Sequence, residues 1–171
     1  MRFLSRRRFA QSVAALSVAA ALVGAGVLIG AGAASATPTA IFANGIANLM
    51  IVTDDQPTTV TSTTWQSISS NNFTYGPARF IRVRFSGESV CSGTGGWCSL
   101  RIMVGGVEAR PAVGTDFAFD SPGDQWESHS VERVVPAPGS GFVSVSVEVT
   151  VVAGATSERL DDWMLSVEVL A

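Results

Sequence analysis

The stretch that decides the fold is Val143-Ser144-Val145-Ser146-Val147-Glu148-Val149-Thr150-Val151, in which valine occupies every second position. Because successive side chains of a β-strand point to opposite faces, this alternation places five valines on one face and polar side chains on the other. Such a pattern predicts an antiparallel strand with one face in a core and the other in water.

The same period of two recurs elsewhere in the chain. Apolar and polar residues alternate over 81–86, over 99–104 and over 163–169. Gly105-Gly106 stands between Val104 and Val107, which is typical of a two-residue β-hairpin turn. No segment after residue 36 shows a helical period, so these strands are expected to pair with one another.

Turn-forming residues punctuate the remaining segments. Asn71-Asn72 and Gly76-Pro77 predict turns that follow a strand over 60–68, and Pro136-Ala137-Pro138-Gly139 predicts the end of a strand over 128–135. Alternation around Phe117 and Phe119 predicts a further strand over 116–120. Seven to nine strands of this kind predict an all-β protein built as a single antiparallel β-sandwich.

The strand order is left open between two kinds of sandwich. A jelly-roll-like order is preferred, and an immunoglobulin-like order is the alternative. The preference depends on the two cysteines, whose spacing does not match the paired cysteines of immunoglobulin domains.

The N-terminus predicts export. Ser5-Arg6-Arg7-Arg8-Phe9 resembles a twin-arginine signal, and a weakly apolar Ala- and Gly-rich stretch follows it. Ala34-Ser35-Ala36 is a small-x-small site, which predicts removal of a signal helix by cleavage after Ala36. The predicted organisation is therefore a signal peptide over 1–36, an irregular lead-in over 37–57 and a β-sandwich domain over 58–171. It implies a secreted protein, exported already folded, with no stable membrane insertion after cleavage.

The charge of the chain argues against polyanionic partners. All 14 acidic residues lie after residue 36, where only seven of the 11 arginines are found and no lysine occurs, so this part carries a net charge of −7. A chain with this balance repels phosphate backbones, and nucleic-acid binding is not expected. The absence of lysine also excludes Schiff-base chemistry.

Cys91 and Cys98 are the only cysteines, and six residues separate them. In an oxidising compartment two nearby thiols are expected to form a disulfide, worth about 2.5 kcal/mol for a loop of this size in the chain-entropy model. Their spacing does not match the short spacing of zinc motifs, and the chain holds one histidine.

Three aspartates spaced by four residues, Asp116, Asp120 and Asp124, are candidate ligands for Ca²⁺, which prefers carboxylate and carbonyl oxygens. On one strand Asp116 and Asp120 would lie about 13 Å apart, so a shared ion requires the chain to bend. A solvated acidic face is the alternative, and no other cofactor is expected.

Trp97 and Trp126 are candidate ligand-binding residues, because both lie in glycine- and turn-rich stretches. Loop-borne aromatic side chains on an exported sandwich can stack on sugar rings or anchor a protein partner. Trp163 alternates with apolar residues and is expected in the core, whereas Trp65 fits either role.

A catalytic role finds little support. His129 is the sole histidine, so a Ser-His-acid triad would have to use it, and the chain contains no G-x-S-x-G motif. No catalytic residue is therefore assigned, and the sequence leans towards a protein that is not an enzyme.

Five segments, 84–89, 97–102, 114–120, 126–130 and 160–163, resemble small exported proteins of high-GC Gram-positive bacteria. The resemblance implies a secreted β domain and supplies no activity or site residues. The function predicted first is a non-enzymatic module that binds extracellular glycan or protein. A structural, envelope-associated protein without a dedicated ligand and a small secreted hydrolase are the alternatives.

Overall fold

The computed structural model of the protein describes residues 49–114 and 117–170. These residues form seven strands and no helix: β1 (Leu49–Asp54), β2 (Thr58–Val60), β3 (Gln66–Gly93), β4 (Trp97–Val104), β5 (Val107–Glu108), β6 (Glu127–Val152) and β7 (Ala155–Leu170). The predicted all-β class is confirmed. In the same residues there is no helix long and apolar enough to cross a membrane.

All seven strands belong to one antiparallel sheet, in the order β1-β7-β3-β6-β4-β5, with β2 also paired to β7. The two longest strands, β3 and β6, pair with each other along most of their length. Their register shifts between Tyr75 and Phe80, and this irregularity divides the β3–β6 ribbon into two parts.

The two parts of the ribbon belong to two layers. Residues 80–93 of β3 and 127–136 of β6 lie with β7, β1 and β2 in what we call the first layer. Residues 66–75 of β3 and 141–152 of β6 lie with β4 and β5 in the second layer. A ribbon that passes from one layer to the other through a bend produces a jelly-roll-like β-sandwich, as predicted.

The core lies between the inner faces of these layers. Val145, Val147, Val149 and Val151 are buried, and Val143 is partly buried against the core, so the predicted valine face is confirmed. From the first layer, Trp163 packs against Phe85 with ring centroids 5.7 Å apart. The valine strand therefore supplies one wall of the core, as its alternation predicts.

Three predicted interruptions of strands are wrong. β3 continues through Asn71-Asn72 and Gly76-Pro77, and β6 continues through residues 136–139. Asn71 and Asn72 pair with β6, where buried Phe73 next to them anchors the register. The prolines lie at the bend, where a missing N–H does least harm to the ladder, so turn residues here bend strands instead of ending them.

Three predicted boundaries also differ. β1 lies inside the stretch 37–57 that was predicted to be irregular, because Leu49–Asp54 pairs with β7 and buries Val52. The expected strand over 60–68 divides, since β2 ends at Val60 and β3 begins at Gln66. Phe117 and Ala118 lie outside any strand, and Asp120 forms an isolated bridge with Cys98. The predicted signal peptide over 1–36 lies outside the described residues.

Candidate functional site

The predicted disulfide is confirmed. Cys91, near the end of β3, is bonded to Cys98, near the start of β4, with Cα atoms 5.8 Å apart. Both cysteines are buried, whereas Gly93, Thr94 and Gly95 at the tip of the loop are exposed. The bond therefore closes the β3–β4 connection from inside the sandwich.

Beside this loop, the outer face of the second layer carries a cleft of about 350 Å³ that we call the aromatic cleft. The register places Trp97 opposite Val152 and Ser99 opposite Thr150, so one side of the cleft is the surface of β4 and β6. The residues that line it are Thr63, Trp65, Trp97, Ser99, Gly114, Thr150, Val151, Val152 and Ala153.

The segment between β2 and β3 brings Trp65 to the cleft. Ser62 anchors this segment to β6, because its carbonyl oxygen accepts hydrogen bonds from Val151 N (2.9 Å) and from Thr150 Oγ1 (3.1 Å). Trp65 then lies beneath the guanidinium of Arg101, which is 4.5 Å from the indole centroid. Arg101 is itself held by Glu148 at 2.6 Å, so the Trp65 ring is fixed in place before any ligand arrives.

The indole of Trp97 carries an unused hydrogen-bond donor. Its Nε1 is buried and has no hydrogen-bond partner among the described residues. A buried donor without a partner lowers the stability of a folded protein by about 1–3 kcal/mol, so a donor of this kind in a native structure calls for an explanation. Trp97 thus presents both an apolar ring and an unsatisfied polar atom.

The structure separates the two tryptophans that the sequence paired as candidates. Trp97 lines the aromatic cleft, whereas Trp126 does not and is 43% exposed. The guanidinium of Arg159 lies 5.2 Å from the Trp126 ring, which places Trp126 next to β7 of the first layer. Trp65, and not Trp126, is the second tryptophan that lines the cleft. The sequence could not assign Trp65 to the cleft, because the path of residues 61–65 depends on tertiary contacts.

Of the three predicted calcium ligands, the structure describes two, Asp120 and Asp124, and these differ in exposure. Asp116 lies outside the described residues, and Asp124 is exposed. Asp120 is buried, and its Oδ2 accepts hydrogen bonds from Ser89 Oγ (2.7 Å) and Cys91 N (3.1 Å) while its Oδ1 accepts one from Ser121 N (2.6 Å). This carboxylate joins β3 to the 117–122 segment.

The residues that accompany Asp120 are Glu127 and His129. His129 Nε2 lies 3.6 Å from Asp120 Oδ1 and 3.3 Å from Glu127 Oε2, and its ring centroid is 5.3 Å from that of Phe119. One imidazole nitrogen and two carboxylate oxygens within 4.8 Å of one another could ligate a divalent cation, although such a set is poorer in oxygen than Ca²⁺ prefers.

The histidine arrangement differs from a hydrolytic triad. Ser89 donates its hydroxyl to Asp120, and within residues 49–114 and 117–170 no serine hydroxyl is hydrogen-bonded to His129. A polar cleft of about 360 Å³ adjoins His129 on the first layer, lined by Ser86, Gly87, Glu88, Ser128, His129, Ser130 and Asp162. Its lining contains no Trp, Tyr or Phe side chain on which the apolar face of a sugar could stack.

Glu158 is the site residue that sequence reasoning missed. It lies on β7 directly opposite Cys91, is completely buried, and has no hydrogen-bond partner for either carboxylate oxygen among the described residues. Burial, followed by repulsion from the Asp120 carboxylate, raises the pKa of Glu158 to about 8. Glu158 therefore carries a proton at neutral pH.

Comparison with known proteins shows the fold alone. No family model matches the chain, and no curated protein is similar to it. Among solved structures, the infectious bursal disease virus Gx strain is similar at a TM-score of 0.50 and 13% identity, over 73% of this chain and 32% of that chain. The VP2 subviral particle of the same virus gives 0.48 and 10%, over 72% and 33%.

A third similar structure is TmCBM61 in complex with β-1,4-galactotriose, at a TM-score of 0.32 and 17% identity over 68% of each chain. The chain spans about a third of the viral chains that it resembles. At these identities the likeness supports the β-sandwich and nothing finer.

Proposed function

We propose that this protein is an exported, non-enzymatic module that binds glycan through the aromatic cleft. The observation that carries the proposal is the convergence of two tryptophans, Trp65 and Trp97, on one cleft. Sugar rings present apolar C–H faces and a rim of hydroxyls. Indole rings offer a surface on which those C–H faces can stack.

The cleft also supplies the polar groups that would orient a sugar. Thr63 and Ser99 line it beside the tryptophans, and a hydroxyl group can both donate and accept hydrogen bonds. Thr150 also lines it, but its hydroxyl already donates to the carbonyl oxygen of Ser62. Its volume of about 350 Å³ is at the lower end of the usual range for small-molecule sites, about 300–1,000 Å³. We therefore expect it to hold a short segment of a glycan.

Electrostatics restrict the class of glycan. Arg101 is the cation nearest to Trp65, and its charge is compensated by Glu148. The chain after residue 36 has a net charge of −7, which disfavours polyanions. A neutral or amino-sugar polymer is the ligand class that this surface favours.

A glycan and cell-wall binding panel tests the proposal. Replacing Trp97 by Ala is expected to weaken binding by about 2 kcal/mol, about 30-fold, because the stacking ring is lost. Trp126→Ala is the matched control, since Trp126 is exposed and outside the cleft, and it should bind as the parent does.

Equal affinity of Trp97→Ala and the parent would contradict the assignment of the cleft. If the parent binds no glycan and no cell-wall preparation, the structural alternative is favoured. A small hydrolase would be indicated by turnover of ester or glycoside substrates that is lost in His129→Ala.

Export is the second part of the proposal and is tested separately. Arg6→Lys with Arg7→Lys keeps the positive charge but removes the guanidinium pair of the twin-arginine pattern. We expect this double variant to accumulate inside the cell as the uncleaved chain, whereas the parent appears outside without its first 36 residues. Unchanged export of the variant would favour transport of an unfolded chain.

A further inference from the structure

The disulfide and Glu158 form a cluster that the proposed function does not use. The sulfur atoms of Cys91 and Cys98 and one carboxylate oxygen of Glu158 all lie within 4.8 Å of one another, and all three residues are buried. Both oxygens of the buried Glu158 carboxyl group lack a hydrogen-bond partner among the described residues, so the fold alone does not explain this side chain. Unsatisfied buried groups of this kind often mark a redox role or a missing ion.

We propose that Cys91, Cys98 and Glu158 bind one Zn²⁺ ion in the reduced chain, and that disulfide formation expels it. Two thiolates and one carboxylate are ordinary zinc ligands, and three protein ligands leave a fourth position for water. The six-residue spacing of the cysteines differs from that of zinc-finger motifs. The site instead takes its third ligand from a different strand, β7.

The fold suits this exchange without large movement. In a tetrahedral site with Zn–S bonds of about 2.3 Å, the two sulfurs are about 3.8 Å apart, close to the separation of unbonded sulfur atoms. Cys91 faces Glu158 across the β3–β7 ladder, and Cys98 faces Val151 across the β4–β6 ladder, so all three side chains are held by the sheet.

The state of the site would follow the compartment. A chain that folds before export does so where thiols stay reduced, and there the metal would take the place of the disulfide in closing the β3–β4 connection. The role of the metal during folding in the cytoplasm rests on the proposed export. The metal site itself depends neither on export nor on glycan binding.

The chemistry balances in two steps. A phosphine reductant donates two electrons to the disulfide and becomes its oxide, while water supplies the oxygen atom and the two thiol protons. Zn²⁺ then displaces one proton from each thiol, and the Glu158 carboxylate completes the protein ligands. Binding at pH 7 is therefore expected to release about two protons per ion from the thiols.

The experiment uses the full chain, reduced with a phosphine and desalted without oxygen. After dialysis against Zn²⁺ we expect one ion per reduced chain and none per oxidised chain. Glu158→Gln should weaken binding at least about tenfold, as even loss of an indirect partner does. Co²⁺ should show thiolate charge-transfer absorption in the reduced parent, and Cys91→Ser with Cys98→Ser should abolish it.

The control is Glu127→Gln with His129→Ala, which removes the other candidate set of ligands. This variant should bind Zn²⁺ as the reduced parent does. Equal binding by the oxidised and reduced parent, retention of binding in the double serine variant, or affinity unchanged in Glu158→Gln would each overturn the proposal. Circular dichroism of reduced Glu158→Gln checks that the variant keeps its β structure, so that loss of binding there reports on the ligand.

Discussion

Replacement of Trp163 by Ala is expected to lower the free energy of unfolding by about 3–5 kcal/mol, the range found for large aromatic truncations in cores. Trp163 is 2% exposed and is the largest fully buried side chain among the described residues. Its ring packs at 5.7 Å from that of Phe85, which in turn packs at 5.9 Å from that of Phe119. Truncation therefore opens a cavity where the core joins the 117–122 segment.

The backbone around Trp163 cannot close this cavity. A Cβ atom added at Gly87 would lie 2.7 Å from Trp163 Cβ, so β3 and β7 already approach as closely as they can at this point. Since the strands are already in contact on that side, the space left by the ring persists, which puts the expected loss in the upper part of the range.

Denaturant unfolding at constant ionic strength measures the loss. Trp126→Ala is the control, because Trp126 is 43% exposed and lies outside the core, so its truncation should change stability by about 1 kcal/mol or less. Trp163→Phe should retain most of the stability, since the indole Nε1 has no partner to lose. A loss below about 1 kcal/mol for Trp163→Ala would mean that the two layers are not packed around this ring.

The features that sequence predicts correctly are local ones. The alternation of Val143–Val151 depends only on neighbours along the strand, and the Gly105-Gly106 turn requires the positive φ angles of 60° and 77° that glycine adopts readily. The Cys91–Cys98 bond spans a short loop, so it too could be predicted from proximity in the chain.

The features that sequence misses depend on contacts between distant segments. Asn71-Asn72 predicts a turn in isolation, but pairing with β6 keeps it in β3. Trp65 reaches Trp97 only because Ser62 is hydrogen-bonded to residues 150 and 151. Glu158 follows the alternation of β7, and nothing in its neighbours along the chain reveals that its side chain ends beside a disulfide and a second carboxylate.

The contribution of Glu158 to the stability of the oxidised protein is expected to fall as pH rises from about 4.5 to about 8. The pKa of Glu158 is raised to about 8 in the folded chain from an ordinary value of 4.5. Between these values the folded chain retains a proton that the unfolded chain has released, so each pH unit costs up to about 1.4 kcal/mol. This contribution is complete at low pH and is lost once pH passes the folded pKa.

Glu158→Gln removes the titrating group while preserving its shape. We expect the variant to be more stable than the parent at pH 8 by several kcal/mol, up to about 4, and the two to converge near pH 4.5. The measurement is the difference in free energy of unfolding between variant and parent across this range, with the disulfide intact.

Glu88→Gln is the matched control, since Glu88 is exposed, and its difference from the parent should stay flat. A flat difference for Glu158→Gln as well would mean that water or a cation reaches this carboxylate in solution and keeps it charged. That result would contradict the conclusion that the Glu158 carboxyl group is buried and uncharged beside the Cys91–Cys98 bond.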